Sequence, residues 1–161
     1  MTYAVEGMGR SSRHRILAVA SAGGHWVQLA RLSEAFADCD TLYVTTVAGQ
    51  TAPSGDRPVA KVVDGSRNEP WRIAWAGVQL AILMLRFRPH AVITTGAAPG
   101  YVALRLGKLR GCRTVWLDSI ANAEEISMSA RLARPFADLW LTQWEDLSRK
   151  TPGLEYWGRV L

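Results

Sequence analysis

Cysteine is scarce in this chain. Cys39 and Cys112 are the two among 161 residues, they share no metal-ligand spacing, and no cleavable secretory signal precedes them. A disulfide scaffold and a thiolate metal centre are thereby excluded, both thiols are expected to be reduced in the cytosol, and no metal is expected. Acidic side chains are missing from Arg72 to Arg113, a span that carries seven basic ones: Arg72, Arg86, Arg88, Arg105, Lys108, Arg110 and Arg113. The partner of that span should be anionic. Its charges mostly interrupt or follow apolar helices, and no helix-turn-helix or aromatic platform accompanies them, so nucleic acid is disfavoured. A membrane-spanning run is lacking too. Ile73 to Leu85 is thirteen residues broken only by Gln79, roughly 20 Å as a helix against the ~30 Å of a bilayer core.

One further absence concerns nucleotides. The stretch Ser21-Ala22-Gly23-Gly24-His25 joins an apolar run to a helical one but lacks the Gly-x-Gly-x-x-Gly spacing. The next strand ends in Thr45-Thr46-Val47 rather than in a ribose-binding carboxylate. A dinucleotide dehydrogenase is disfavoured.

What is present describes a globular domain. Apolar residues make up 48% of the chain and charged ones 20%, which excludes wholesale disorder. The length suits one domain with a proper core and is too short for two nucleotide folds. Residues 1–14, with Arg10, Arg13 and His14, read as a flexible basic leader, and 15–161 as a single domain. Ile16 to Ala20 is continuously apolar, as in parallel strands covered on both faces. Trp26 to Ala37 has a helical apolar stripe, and Thr41 to Val47 is a β-branched strand. Ala48 to Pro58 is a loop and Ala60 to Val63 a short strand, after which Pro70 opens a helix through Phe87. Ala91 to Thr95, Thr114 to Leu117 and Leu139 to Thr142 continue the strands, with a helix expected from Tyr101 to Leu109 and a last strand over Tyr156 to Leu161. This alternation predicts an α/β, Rossmann-like parallel sheet with helices on both faces.

Two strand–glycine–helix joints, Ser21 to Gly24 and Thr95-Gly96 to Pro99-Gly100, are expected at the carboxyl ends of their strands, where open α/β sheets bind ligands. Adjacent glycines let a ligand approach main-chain N–H groups, and a helix N-terminus favours an anion. Ser21, Gly23, Gly24, Gly96, Gly100 and Ser119 are therefore candidates for holding a phosphate or pyrophosphate. His25 stands at the lip with the side chain best suited to taking a proton near neutral pH, or it serves only as a helix-start hydrogen-bonding residue. Asp118 and Glu124 are reserve candidates for base, and Asp118 could equally cap a turn. The helix from Trp71 to Phe87 is either buried between sheet and neighbour or lies in a membrane interface, with Trp71 and Trp75 at headgroup level and Arg72, Arg86 and Arg88 on lipid phosphates.

Taken with Asp118-Ser119, Ser127-Met128-Ser129, Pro135-Phe136-Ala137-Asp138, Gln143-Trp144-Glu145 and Tyr156-Trp157-Gly158-Arg159-Val160, the two glycine joints resemble one group of proteins from Arg15 onward. It is the acceptor-side, membrane-anchoring subunit of split GT-B glycosyltransferases. The group includes the anchoring subunit of the dolichol-linked N-acetylglucosaminyltransferase and bacterial exopolysaccharide counterparts, some serving glucuronosyl transfer. The resemblance implies the fold of the N-terminal half of a family 28 GT-B enzyme. It also implies half an enzyme, inactive alone. No cofactor is tightly bound, and the UDP-sugar is supplied mainly by a donor-binding partner subunit in a heterodimer. The reaction implied is inverting transfer onto a polyprenyl-pyrophosphate-linked sugar, at the cytoplasmic face of a membrane and peripheral to it. Eukaryotic members carry an N-terminal transmembrane helix, a pattern not found in residues 1–14. Trp157, Gly158, Arg159, Val160 and Leu161 are expected to meet the partner. The alternative is a non-catalytic scaffold that recruits the true enzyme to the membrane.

Overall fold

The computed structural model describes residues 13–66 and 68–160. Most of the expected leader, residues 1–12, and Leu161 of the expected partner interface lie outside the described residues. His14 is already joined to the sheet, its carbonyl accepting from Asp40 N at 2.9 Å.

Seven strands among the described residues, β1 (Arg15–Val19), β2 (Asp40–Thr45), β3 (Val59–Lys61), β4 (Ala91–Thr94), β5 (Arg113–Leu117), β6 (Leu139–Thr142) and β7 (Glu155–Tyr156), form one sheet. All neighbours run parallel, in the order β3-β2-β1-β4-β5-β6-β7. The expected α/β, Rossmann-like parallel sheet is therefore the observed one. Parallel strands need crossovers, and these are supplied by α1 (Gly24–Leu32), α2 (Pro70–Phe87), α3 (Ala97–Leu109), α4 (Met128–Ala133) and α5 (Glu145–Lys150), except between β2 and β3, which the loop 46–58 joins.

β1 shows why its run is apolar throughout. Leu17 and Val19 face a core shared with Leu80 and Met84 of α2 and Ala103 of α3. Ile16 and Ala18 face the opposite core, with Trp26 and Leu29 of α1, Phe36 and Tyr43. A third cluster extends the α2–α3 side: Trp116 and Trp140, in register on β5 and β6, pack with Leu104, Ala130 and Leu147 of α3, α4 and α5. Helices thus cover both faces unequally, and among the described residues α1 is the one helix on its side.

Four differences from the sequence expectation have local causes. α1 is followed by a tighter 3-10 turn, Ser33–Phe36. α3 starts at Ala97 rather than Tyr101, because Pro99 sits in the first helical turn, where no intrahelical N–H bond is lost. α5 was not expected at all, although Glu145 and Asp146 in its first turn and Arg149 and Lys150 in its last complement the helix dipole. β7 ends at Tyr156. Beyond it, residues 157–160 border an apolar cleft of about 320 Å³ with Ile93, Val115, Leu117, Leu139 and Leu141, on the side that α1 leaves uncovered.

Candidate functional site

β1 and β4 are neighbours, yet the chain leaves them in opposite directions: α1 packs on one face of the sheet and α3 on the other. This is the point where strand order reverses, and such a sheet opens a crevice there at its carboxyl edge. Both glycine joints lie at it. Gly23 (φ 68°) and Gly96 (φ 128°) precede α1 and α3 in backbone conformations that side chains resist. Neither helix has a side-chain N-cap or an acidic residue in its first turn, so both positive ends are available to an anion. A Cβ built on Gly23 or Gly24 would meet nothing within 4 Å.

The joints are tied to each other through His25. Its Nδ1 lies 2.7 Å from Thr95 O, and Thr95 Oγ1 donates to His25 O at 2.7 Å. A carbonyl only accepts, so Nδ1 carries a proton, and in the tautomer protonated there alone Nε2 is the acceptor. The ring lies over Gly96, where a Cβ would come within 2.7 Å of Cε1. Ala97 beside it holds φ 64° without being glycine, a strained conformation of the kind that gathers at functional sites.

A second cluster stands behind this edge. Asp118 and Ser119 follow β5, and Gln143 follows β6. Asp118 is 2% exposed and both its carboxylate oxygens are committed, Oδ2 accepting from Ser127 N at 2.9 Å and Oδ1 from Ser127 Oγ at 2.7 Å. Ser127 in turn caps α4 through Ala130 N. The expectation of Asp118 as reserve base is corrected: it anchors the loop 119–127. Gln28 of α1 donates to Ser119 Oγ at 3.1 Å and accepts from Gln143 Nε2 at 2.6 Å. Sequence reasoning missed Gln28. The signal was a polar residue next to Leu29 on the buried side of an amphipathic helix.

Gly100 is the other correction. It lies in the first turn of α3, buried against β4, and a Cβ there would fall 2.0 Å from Thr94 Oγ1. It permits close helix–strand approach and does not line the crevice. Glu124 is exposed, bordering a depression with Arg131, Leu147 and Lys150; no described bond joins it to His25. Among the described residues, the two groups with shifted titration are both at the opposite, amino edge. The Lys108 ammonium beside Asp138, helped by donors from Thr114, holds that carboxyl below its ordinary value. Burial pushes the Cys112 thiol up.

A family-wide sequence profile described as "Oligosaccharide biosynthesis protein Alg14 like" matches residues 57–160. The chain belongs to this family. Among Alg14 relatives, each named a UDP-N-acetylglucosamine transferase subunit, that of Eremothecium gossypii is 34% identical over 94 residues, covering 55% of this chain and 42% of the relative. The mouse protein is 31% identical over 85 residues, covering 49% and 39%. The chain thus spans less than half the length of these curated relatives. Among solved structures, Acinetobacter baumannii MurG superposes with a TM-score of 0.71 at 12% identity, over 89% of this chain and 45% of MurG. The MnaA–UDP structure of S. aureus gives 0.69 at 12% identity, over 91% and 45%. At such identities the likeness concerns the fold, which is that of the N-terminal half of GT-B glycosyltransferases such as MurG.

The Alg14-like region takes in Gly96, Ser119 and Gln143, and the joint that carries His25 precedes it. It also contains two surfaces away from the crevice. α2 buries Ala76, Leu80 and Met84 and exposes a stripe of Trp71 (67%), Trp75 (54%), Val78, Ile82 and Leu85, flanked by Arg72, Arg86 and Arg88. The helix packs one face and shows the other; none among the described residues is long and apolar enough to cross a membrane. At the C-terminal segment, the Arg159 guanidinium stacks on Trp144 at 4.2 Å and Trp157 is 70% exposed.

Proposed function

We propose that this chain is the acceptor-side subunit of a two-component, membrane-associated inverting glycosyltransferase, which moves a sugar from a UDP donor to a polyprenyl-pyrophosphate-linked acceptor. The observation that carries this is the His25–Thr95 pairing across the crevice, which leaves Nε2 facing away from its only committed partner, beside two uncapped helix N-termini. The pyrophosphate rests over Gly23 and Gly24, held by main-chain N–H groups of α1. As the acceptor hydroxyl attacks the anomeric carbon, its proton passes to His25 Nε2 and the bond to the nucleotide diphosphate breaks, the leaving group departing with the electron pair. The nucleotide sugar is brought by a partner lobe that docks on the apolar cleft and the segment 157–160.

On this reading the complex lies peripherally on the cytoplasmic face of a membrane, and the exposed stripe of α2 supports it, with tryptophans for the interface and arginines for lipid phosphates. Replacing Trp71 and Trp75 by serine should abolish sedimentation with anionic vesicles at unchanged melting temperature, because exposed substitutions alter stability by within about 0.5 kcal/mol; vesicle binding equal to the parent chain removes the membrane surface from this proposal.

The deciding experiment is turnover by the reconstituted pair with His25→Ala. A loss of a hundredfold or more with undiminished co-purification of the partner supports catalysis, and unchanged turnover overturns it. One observation favours the scaffold alternative: the profile match begins after His25. In that case Trp157→Ala and Arg159→Ala abolish both co-purification and turnover while His25→Ala is silent.

A further inference from the structure

Gln28 and Gln143 are buried amides that the transfer chemistry leaves unused. Main-chain groups dictate how they point, since each has a single hydrogen-bonding sense. Asp118 O only accepts and Val160 N–H only donates. Gln143 therefore directs Nε2 to Asp118 O (3.0 Å) and receives Val160 N on Oε1 (2.9 Å). The second Nε2 hydrogen goes to Gln28 Oε1, which also accepts from Ile120 N at 3.2 Å. With its oxygen thus occupied, Gln28 must aim Nε2–H at Ser119 Oγ. That oxygen takes another bond from Ala121 N at 3.3 Å. A hydroxyl oxygen has two lone pairs, and both are filled. The remaining capacity of Ser119 is to donate.

We propose that Gln28 and Gln143 are positioning residues that hold Ser119 as an obligate donor toward an anionic phosphate oxygen at the carboxyl edge of the sheet. The proposal rests on the reading that a pyrophosphate binds there. A bonded chain running from Val160 through two amides sets the polarity of one hydroxyl, which then accepts no bond from a ligand and selects against groups that offer hydrogen instead of a lone pair. Because its far end is Val160 N–H, the hydroxyl also senses how the C-terminal segment is seated.

The test uses the full chain and a soluble probe, a short-chain prenyl pyrophosphate carrying one hexose, with affinity read by calorimetry and folding by circular dichroism. Ser119→Ala removes a bond to a charged oxygen and should weaken binding about tenfold, while Ser119→Thr, which keeps the hydroxyl, stays within about twofold. Gln28→Glu presents a carboxylate that draws the Ser119 proton inward and should match the loss in Ser119→Ala. The double variant should be no weaker than either single one, the mark of a shared interaction. Additive losses, as simple charge repulsion by the new carboxylate would produce, overturn the proposal, as does full-strength binding by Gln28→Glu. Should Gln28→Glu fail to fold, Gln28→Met takes its place in the same cycle, with its effect again vanishing in the Ser119→Ala background. Failure of the parent chain to bind the probe overturns the pyrophosphate reading itself, whereas binding with additive losses overturns the amide chain alone.

Discussion

At the amino edge of the sheet His90 is flanked at both ring nitrogens: Arg15 N donates to Nδ1 at 2.9 Å and the Arg15 guanidinium lies 3.3 Å from Nε2. At the carboxyl edge His25 commits Nδ1 alone. The same contrast runs through the rest of each edge. Asp138 at the amino edge is bonded to Lys108 and to Thr114 N and Oγ1, and Cys112 Sγ donates to Pro89 O. At its crevice the carboxyl edge has the N-termini of α1 and α3, with neither a side-chain cap nor an acidic first turn, and a left-handed alanine. Residues of one chemical type are thus spent on closure at one end and left with spare capacity at the other, and the spare capacity is what a ligand can use.

The widest split should come from the histidines. His25→Ala is expected to remove a hundredfold or more of turnover, whereas His90→Ala should leave turnover within about twofold; each loses a hydrogen bond to backbone and should lower stability by about 1 kcal/mol, measured on the reconstituted pair and by urea unfolding. An activity loss in His90→Ala as large as in His25→Ala would erase the distinction between edges. Next in size is Gly100→Ala. Its methyl group enters space held by Thr94 Oγ1, so unfolding free energy should fall by about 1–3 kcal/mol; an unaltered value would return Gly100 to the crevice.

A pH series then isolates the amino edge. Asp138 has its carboxyl held low in the folded state, so its contribution is complete above the ordinary carboxylate range and is lost as pH falls through the depressed value. Stability of the parent chain and of Asp138→Asn should therefore differ at neutral pH and converge in acid. Parallel curves would show that the Lys108 contact contributes nothing. The smallest effect is expected at Ala97. Relief of a left-handed alanine is worth about 1–2 kcal/mol, offset by about 0.5–1 kcal/mol for glycine's freedom in the unfolded chain. Ala97→Gly should thus stabilise by about 0.5 kcal/mol. A clear loss would mean that the methyl group packs in a way the backbone does not reveal.

Much of the architecture could be read from periodicity. The unbroken apolar run of β1 follows from two-sided burial, while in β4 one face is buried and Ile93 on the other borders the apolar cleft; α2 was legible as a helix because Pro70 opens a long apolar run, whereas which face is exposed was not, since both faces are apolar. The carboxyl-edge joints were placed correctly, since strand ends in a parallel sheet share one side. Gly100 was misread because Pro99-Gly100 looks like a break in sequence, and the tolerance of a first helical turn for proline is visible only once the helix start is known. The engagement of Asp118 by Ser127 depends on how a nine-residue loop folds back, which no local pattern encodes. Gln28 and Gln143 meet across 115 positions, and their pairing is a product of tertiary packing alone.

The imidazole of His25 resting on bare backbone at Gly96 ties two distant codons together. Any side chain at 96 evicts the ring, and even without the ring the φ of 128° keeps 96 a glycine. Under random mutagenesis the dependence should therefore run one way: replacing the residue at 25 does not free 96, and substitutions at 96 are purged whichever residue stands at 25.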